Sequence, residues 1–180
     1  MGSLLRPLRR AGYRVRQVAW GLRSAIAPVD REAVRGLLSA AELALFDAMQ
    51  PRDRAHAVRT LRWLDRAGGP GSAARREVRV AALLHDVGKG RLALWHRVAY
   101  VLLAALPGSP LDRLCRRGRG ARDALWRLRH HDRLGGALLR EAGSAPRVVD
   151  LVERHLTPAT AARAAGDLDL AALIEADGNS

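Results

Sequence analysis

Helix start and stop signals recur at short intervals along this chain, and no stretch alternates apolar and polar residues for the length of a strand. That pairing confines the chain to an all-α fold with short loops. Asp30 is predicted to cap a helix over residues 31–38. Ser39 followed by Glu42 reads as a capping box opening a helix through Met49. Pro51 stops that helix and begins the next, which runs to Ala67. Gly68-Gly69-Pro70-Gly71 makes a loop, and Ser72 is the expected cap of a helix from Ala73 to Asp86, ended by Gly88. Further helices are expected over 91–106, from Ser109-Pro110 to Gly118, and over 121–142 with a break near His130–Asp132. Ser144 is read as the start of a helix to His155, Thr157 as a short turn, and Asp167 as the start of a last helix to Ala176. No internal repeat is visible.

At 180 residues the chain makes one domain, or one domain with an appendage. With 48% hydrophobic residues it is not a disordered polycation, despite a net charge of +13. Of its 31 basic residues, Lys89 is the only lysine; the rest are arginine. Residues 1–29 hold six arginines and no acid, and the remainder carries +7. The natural division is a basic amphipathic segment over 1–29 and a helical domain over 30–180. Leu4, Leu5, Leu8, Val15 and Val18 lie at helical spacing in that segment. It reads either as a helix packed on the domain or as a weak contact for nucleic acid or anionic membrane. No secretory leader is expected. The longest charge-free apolar stretch, Val98 to Leu106, is far shorter than the ~20 residues of a membrane span. A cytoplasmic protein is expected. Cys115 stands alone, which excludes an intrachain disulfide framework and a cysteine-rich zinc module. Few aromatics argue against a base-stacking platform.

The chemistry concentrates in the histidines: His56, His85, His96, His130, His131 and His155. The centre is Leu83-Leu84-His85-Asp86-Val87-Gly88-Lys89, an apolar helix ending in a His-Asp pair where glycine turns the chain. At a helix end both side chains can lean toward one ion. Such a mixed nitrogen and oxygen donor set suits iron, manganese, nickel or zinc better than calcium. No serine or cysteine nucleophile motif is present. His96 lies off these motifs and reads as structural.

These residues resemble the HD-domain superfamily of metal-dependent phosphohydrolases over residues 51–177. Arg54-Ala55-His56-Ala57-Val58 is similar to the family's first motif, 29 residues before His85. Ala81 to Lys89 resembles the central motif, and Leu173-Ile174-Glu175-Ala176-Asp177 the segment with the last aspartate. His131, four residues before Gly135, and His155, after Val148-Val149-Asp150-Leu151-Val152-Glu153-Arg154, resemble two additional ligand motifs. The order is that of dinuclear HD enzymes, including small bacterial di-iron hydrolases of dinucleoside polyphosphates. The glycine-tyrosine-proline motif of cyclic-di-GMP phosphodiesterases is absent.

The resemblance implies an HD-domain helical bundle with a basic N-terminal helical extension. It implies two divalent ions per chain, iron or manganese first, with zinc, nickel and magnesium as further candidates. His56, His85, Asp86 and Asp177 would hold the first, and Asp86 would bridge to a second completed by His131 and His155. A metal-activated water would cleave a phosphoester or phosphoanhydride bond of a nucleotide-type substrate. Lys89, three residues after Asp86, is expected to meet a substrate phosphate; Arg133 and His130 are further candidate substrate contacts. Residues 91–130, with Trp95, Tyr100 and Arg116-Arg117, carry no readable motif. Two other functions fit the same residues. One is a mononuclear HD 5'-nucleotidase; the other is a non-catalytic HD module docked on RNA or anionic lipid through its basic N-terminus.

Overall fold

The computed structural model describes residues 28–67, 75–106 and 110–180. Pro28–Leu37 (α1), Ala40–Ala48 (α2), Pro51–Ala67 (α3) and Arg76–Leu84 (α4) lead to a 3-10 turn over Val87–Lys89. Leu94–Ala105 (α5), Leu111–Leu114 (α6) and Ala121–Arg129 (α7) follow. His131–Glu141 (α8), Pro146–Arg154 (α9), Ala159–Ala164 (α10) and Leu168–Asn179 (α11) complete the chain. The described residues are helical or loop, with no strand. None of their helices is long and apolar enough to cross a membrane. The expected basic helix of residues 1–29 lies outside the described residues up to position 27, as do the Gly68–Gly71 loop, Ser72 and Ser109.

The chain divides into two compact units, residues 91–130 belonging to one and 131–180, with 28–90, to the other. In the second, α4 is the axis. Its Val78 and the run Val80 to Leu84 are at most 1% exposed, because α3, α9 and α11 pack around it. The run Val80 to Leu84 is apolar on every side and so has to be buried, while the charged Arg76, Glu77 and Arg79 stay in the less buried first turns. Each fully buried leucine there is worth roughly 1.5–3 kcal/mol. The unit formed by residues 91–130 is built on α5, α6 and α7. Leu92, Ala124 and Leu128 pack with Tyr100, and Leu111, Cys115 and Leu125 pack with Tyr100, Leu103 and Trp126.

Several expected boundaries hold. Ser39 accepts a hydrogen bond from Glu42 N while Glu42 accepts one from Ser39 N, so the capping box forms. Asp167 caps α11 by accepting from Leu170 N. The helical stretch 121–142 breaks at His130, between α7 and α8. Three caps differ. Helix α1 starts at Pro28, so Asp30 sits in its first turn and takes a two-pronged bond from Arg62 instead. Helix α4 begins at Arg76, four residues beyond the expected Ser72 cap. Helix α9 begins at Pro146 after Ala145; the Ser144 hydroxyl donates to Glu42 at 2.8 Å. A buried carboxylate needing a donor outcompetes a helix end in water.

Candidate metal centre

Five elements of one unit deliver the site. His56 comes from α3 and His85 from the last turn of α4. Asp86 sits on the bend before the 3-10 turn. His131 opens α8, His155 follows α9, and Asp177 lies in α11. The turn approaches α8 so closely that a Cβ on Gly88 would overlap the His131 carbonyl oxygen. Gly88 does not have a positive φ, so it is needed for space, not for backbone freedom.

The side chains converge. His56, His85 and Asp86 each offer a ligand atom, all within 4.8 Å of one another. Asp86, His131 and His155 do the same, so the two groups share Asp86. Asp177 Oδ1 stands 2.7 Å from His56 Nε2 and 3.3 Å from His85 Nε2. Neighbouring imidazoles meet edge-on, with centroids 5.3 Å apart for His56–His85 and His85–His155 and 5.0 Å for His131–His155. His85 and Asp86 are buried at 1% and 2% exposure, whereas the side chains of His56 and Asp177 keep 23% and 33%. Solvent therefore reaches the group from the His56–Asp177 side.

The ring orientations bear on what the group can bind. His85 Nδ1 donates to Ala82 O at 3.0 Å, and His155 Nδ1 donates to Val152 O at 2.7 Å. Each bond fixes the tautomer that turns an Nε2 lone pair into the cluster, the usual outer-shell arrangement of a metal-ligating histidine. His85 Nε2 is buried and has no hydrogen-bond partner. His155 Nε2 faces His131 Nε2 at 3.2 Å. An orphaned imidazole nitrogen beside two carboxylates is costly in a dry core and suits a cation. His56 Nδ1 lies 3.1 Å from the Ser180 hydroxyl, which Thr60 Oγ1 also reaches at 3.0 Å. A hydroxyl both donates and accepts, so this contact serves either tautomer of His56. The residues present fit one or two divalent ions of the nitrogen- and oxygen-preferring kind.

Without ions, charge pairing governs the cluster. Burial alone would lower the His85 pKa, but Asp86 and then Asp177 outweigh it and raise it to about 9. Burial pushes Asp86 up, yet Lys89, His85, His131 and His56 hold it well below the usual carboxylate range. Asp177 is likewise held low against its burial, by the charge of His85 and the bond from His56. His155 is lowered by burial and by the charge of His85. Lys89 Nζ donates to Asp86 Oδ2 at 2.5 Å, so its ammonium lies on the shared carboxylate.

Thus the structure brings together His56, His85, Asp86, Lys89, His131, His155 and Asp177. Arg133 is exposed on the first turn of α8. His130 ends α7, its ring 5.1 Å from Trp126. His96 Nδ1 accepts from Ala93 N at the start of α5. Sequence reasoning missed Ser180 and Thr60, which support His56. Thr60 carried a readable signal, since it stands one helical turn beyond His56; Ser180 carried none.

An all-α bundle in which histidines and aspartates converge in two donor groups that share Asp86 defines a candidate metal-dependent hydrolase. The family model described as HD domain matches residues 54–177, and the chain belongs to the HD-domain family, whose members are in general metal-dependent hydrolases. Among curated proteins and solved structures nothing matches the chain.

Proposed function

We propose that this protein is a dinuclear metal-dependent phosphohydrolase that cleaves a phosphoester or phosphoanhydride bond of a nucleotide, with dinucleoside polyphosphates as the first substrates to test. The observation that carries the reading is the pair of three-donor groups meeting at Asp86. In this reading His56, His85, Asp86 and Asp177 would hold one ion, and Asp86, shared with His131 and His155, would help hold the second. Iron or manganese is the pair that the family resemblance puts first, and zinc, nickel and magnesium are the further candidates for these donors. Two such ions, when bound, supply a water of lowered pKa and offset the charge of the phosphate under attack.

The chain's own groups do the remaining work. The Ala82 and Val152 carbonyls fix His85 and His155, so both rings are set before substrate arrives. Lys89 holds the shared carboxylate in place and adds a positive charge where a phosphate approaches it. The open His56–Asp177 side admits the substrate. Arg133, beside His131 in sequence and exposed on the first turn of α8, is assigned a phosphate contact.

The test is metal analysis of anaerobically purified protein together with chromatographic product analysis of a panel of nucleotides and diadenosine tetraphosphate, whose cleavage gives two nucleotides and no free phosphate. Two ions per chain are expected, His131→Ala and His155→Ala should each lose one, and Asp86→Asn should stop turnover. If both histidine variants keep wild-type stoichiometry and rate, a single-ion nucleotidase replaces this reading. If the loaded wild-type protein converts none of these substrates, the catalytic reading fails.

A further inference from the structure

The net charge of +13 has a sharper distribution than an N-terminal excess. Residues 91–130 contain nine arginines and two aspartates, a net +7, while residues 30–90 and 131–180 together hold sixteen bases and sixteen acids. The unit carrying the histidine cluster is thus neutral, and the unit beside it in sequence is strongly basic. Both of its acids are engaged: Asp112 pairs with Arg129, and Asp123 with Arg127 at 4.0 Å. Arg91, Arg113, Arg116, Arg117, Arg119 and Arg122 are exposed.

Helix α5 in the same unit has an unusual surface. None of its twelve residues is buried, although Arg97 is the only one with a permanent charge. Tyr100 and Leu103 turn inward to the small apolar clusters. At ~100° per residue, Trp95, Leu102 and the following Leu106 fall on one line of the helix, away from that side. They are 57%, 51% and 53% exposed, and they make up three of the five large apolar residues exposed among the described positions.

We propose that residues 91–130 are a docking module for an anionic lipid bilayer. Trp95, Leu102 and Leu106 enter the boundary between headgroups and acyl chains, and the exposed arginines sit against lipid phosphates and carboxylates. A tryptophan among leucines and arginines is the composition that this boundary favours. Charge selects this occupant over a second copy of the chain, since two surfaces of +7 repel each other. Apolarity selects it over RNA, which would pair with the arginines but leave Leu102 and Leu106 in water. The helix is too short to span the bilayer, so it lies on the surface.

The experiment is co-sedimentation of the full chain with vesicles of phosphatidylcholine alone, vesicles of equal phosphatidylcholine and phosphatidylserine, and a single-stranded RNA. Binding to the phosphatidylserine vesicles is expected, with at least tenfold less to the neutral vesicles. Leu102→Ser/Leu106→Ser should weaken it tenfold or more, and Arg116→Glu/Arg117→Glu likewise. All four positions are exposed or at a loop, and an unchanged circular-dichroism melt checks that the variants fold. A second measurement avoids the double variants. In a Trp20→Phe chain, lipids brominated near the headgroup should quench emission, and adding Trp95→Phe should remove most of the quenching. The proposal is overturned if no vesicle binds. It is also overturned if binding survives Leu102→Ser/Leu106→Ser, which would place the contact elsewhere. RNA binding that exceeds vesicle binding would overturn it as well.

Discussion

Replacing Gly88 by alanine puts a methyl group where backbone already lies. The added Cβ would overlap the His131 carbonyl oxygen and stand 2.5 Å from Gly135 N and 2.9 Å from His131 C. Both neighbours are main-chain atoms of α8, which a rotamer change cannot move aside. Restoring van der Waals separation requires the turn and α8 to part by about 1 Å, and overpacking of this kind costs about 2–3 kcal/mol. At ~2–4 °C per kcal/mol, the melting temperature should fall by about 5–10 °C. The displacement also carries His131 away from Asp86 and His155, whereas metal–ligand distances hold within about 0.2 Å. Gly88→Ala should therefore fold, keep one ion and lose the second. Gly136→Ala is the control: its Cβ meets the flexible Glu153 side chain, which can swing out at the cost of an exposed pair with Arg140, worth at most about 1 kcal/mol. Differential scanning calorimetry and metal analysis read both. A Gly88→Ala protein that binds two ions at the wild-type melting temperature would refute the reasoning.

The metal-free protein should carry a pH signature. His85 titrates near ~6.5 when unfolded and at about 9 when folded, so its stabilisation is complete below the lower value and lost as pH rises through the upper. The depressed carboxylates Asp86 and Asp177 gain their stabilisation above the ordinary carboxylate range and do not vary in this window. The melting temperature of the metal-free protein is expected to fall between pH 6.5 and 9, and a flat profile would contradict the charge pairing. Metal uptake must displace the same proton, so affinity measured by calorimetry should rise with pH by up to about tenfold per unit in that window. Lys89→Gln removes the ammonium charge beside Asp86 and should lower turnover by about 10–100-fold with both ions retained; unchanged kcat and KM would leave Lys89 without a role. Asp167→Ala removes the cap of α11 and a partner of Arg147 and Arg154. It should cost about 1–2 kcal/mol in denaturant unfolding and leave metal content unchanged.

How much of the molecule was legible depended on how local its cause was. The all-α architecture and the Ser39–Glu42 box rest on contacts a few residues apart, which a sequence records directly. Ser144 was misread because a serine before a helix looks like a cap, while its hydroxyl is claimed by Glu42, 102 positions away. The adjacent histidines split for a similar reason: one ring enters the cluster from the start of α8, and the other lies against Trp126. Spacing favoured the first, but the packing of Trp126 is visible only in three dimensions.

By itself the sequence determined the helical class and named the candidate donor residues and their order, since residue type and helical period are local properties. The tertiary structure alone decided which lone pairs face one another. Carbonyls of Ala82 and Val152 orient two rings, Ser180 supports a third, and Gly88 lets a turn touch α8. Distances between side chains far apart in the chain are set by how helices close-pack, and no pattern within one helix encodes that closure.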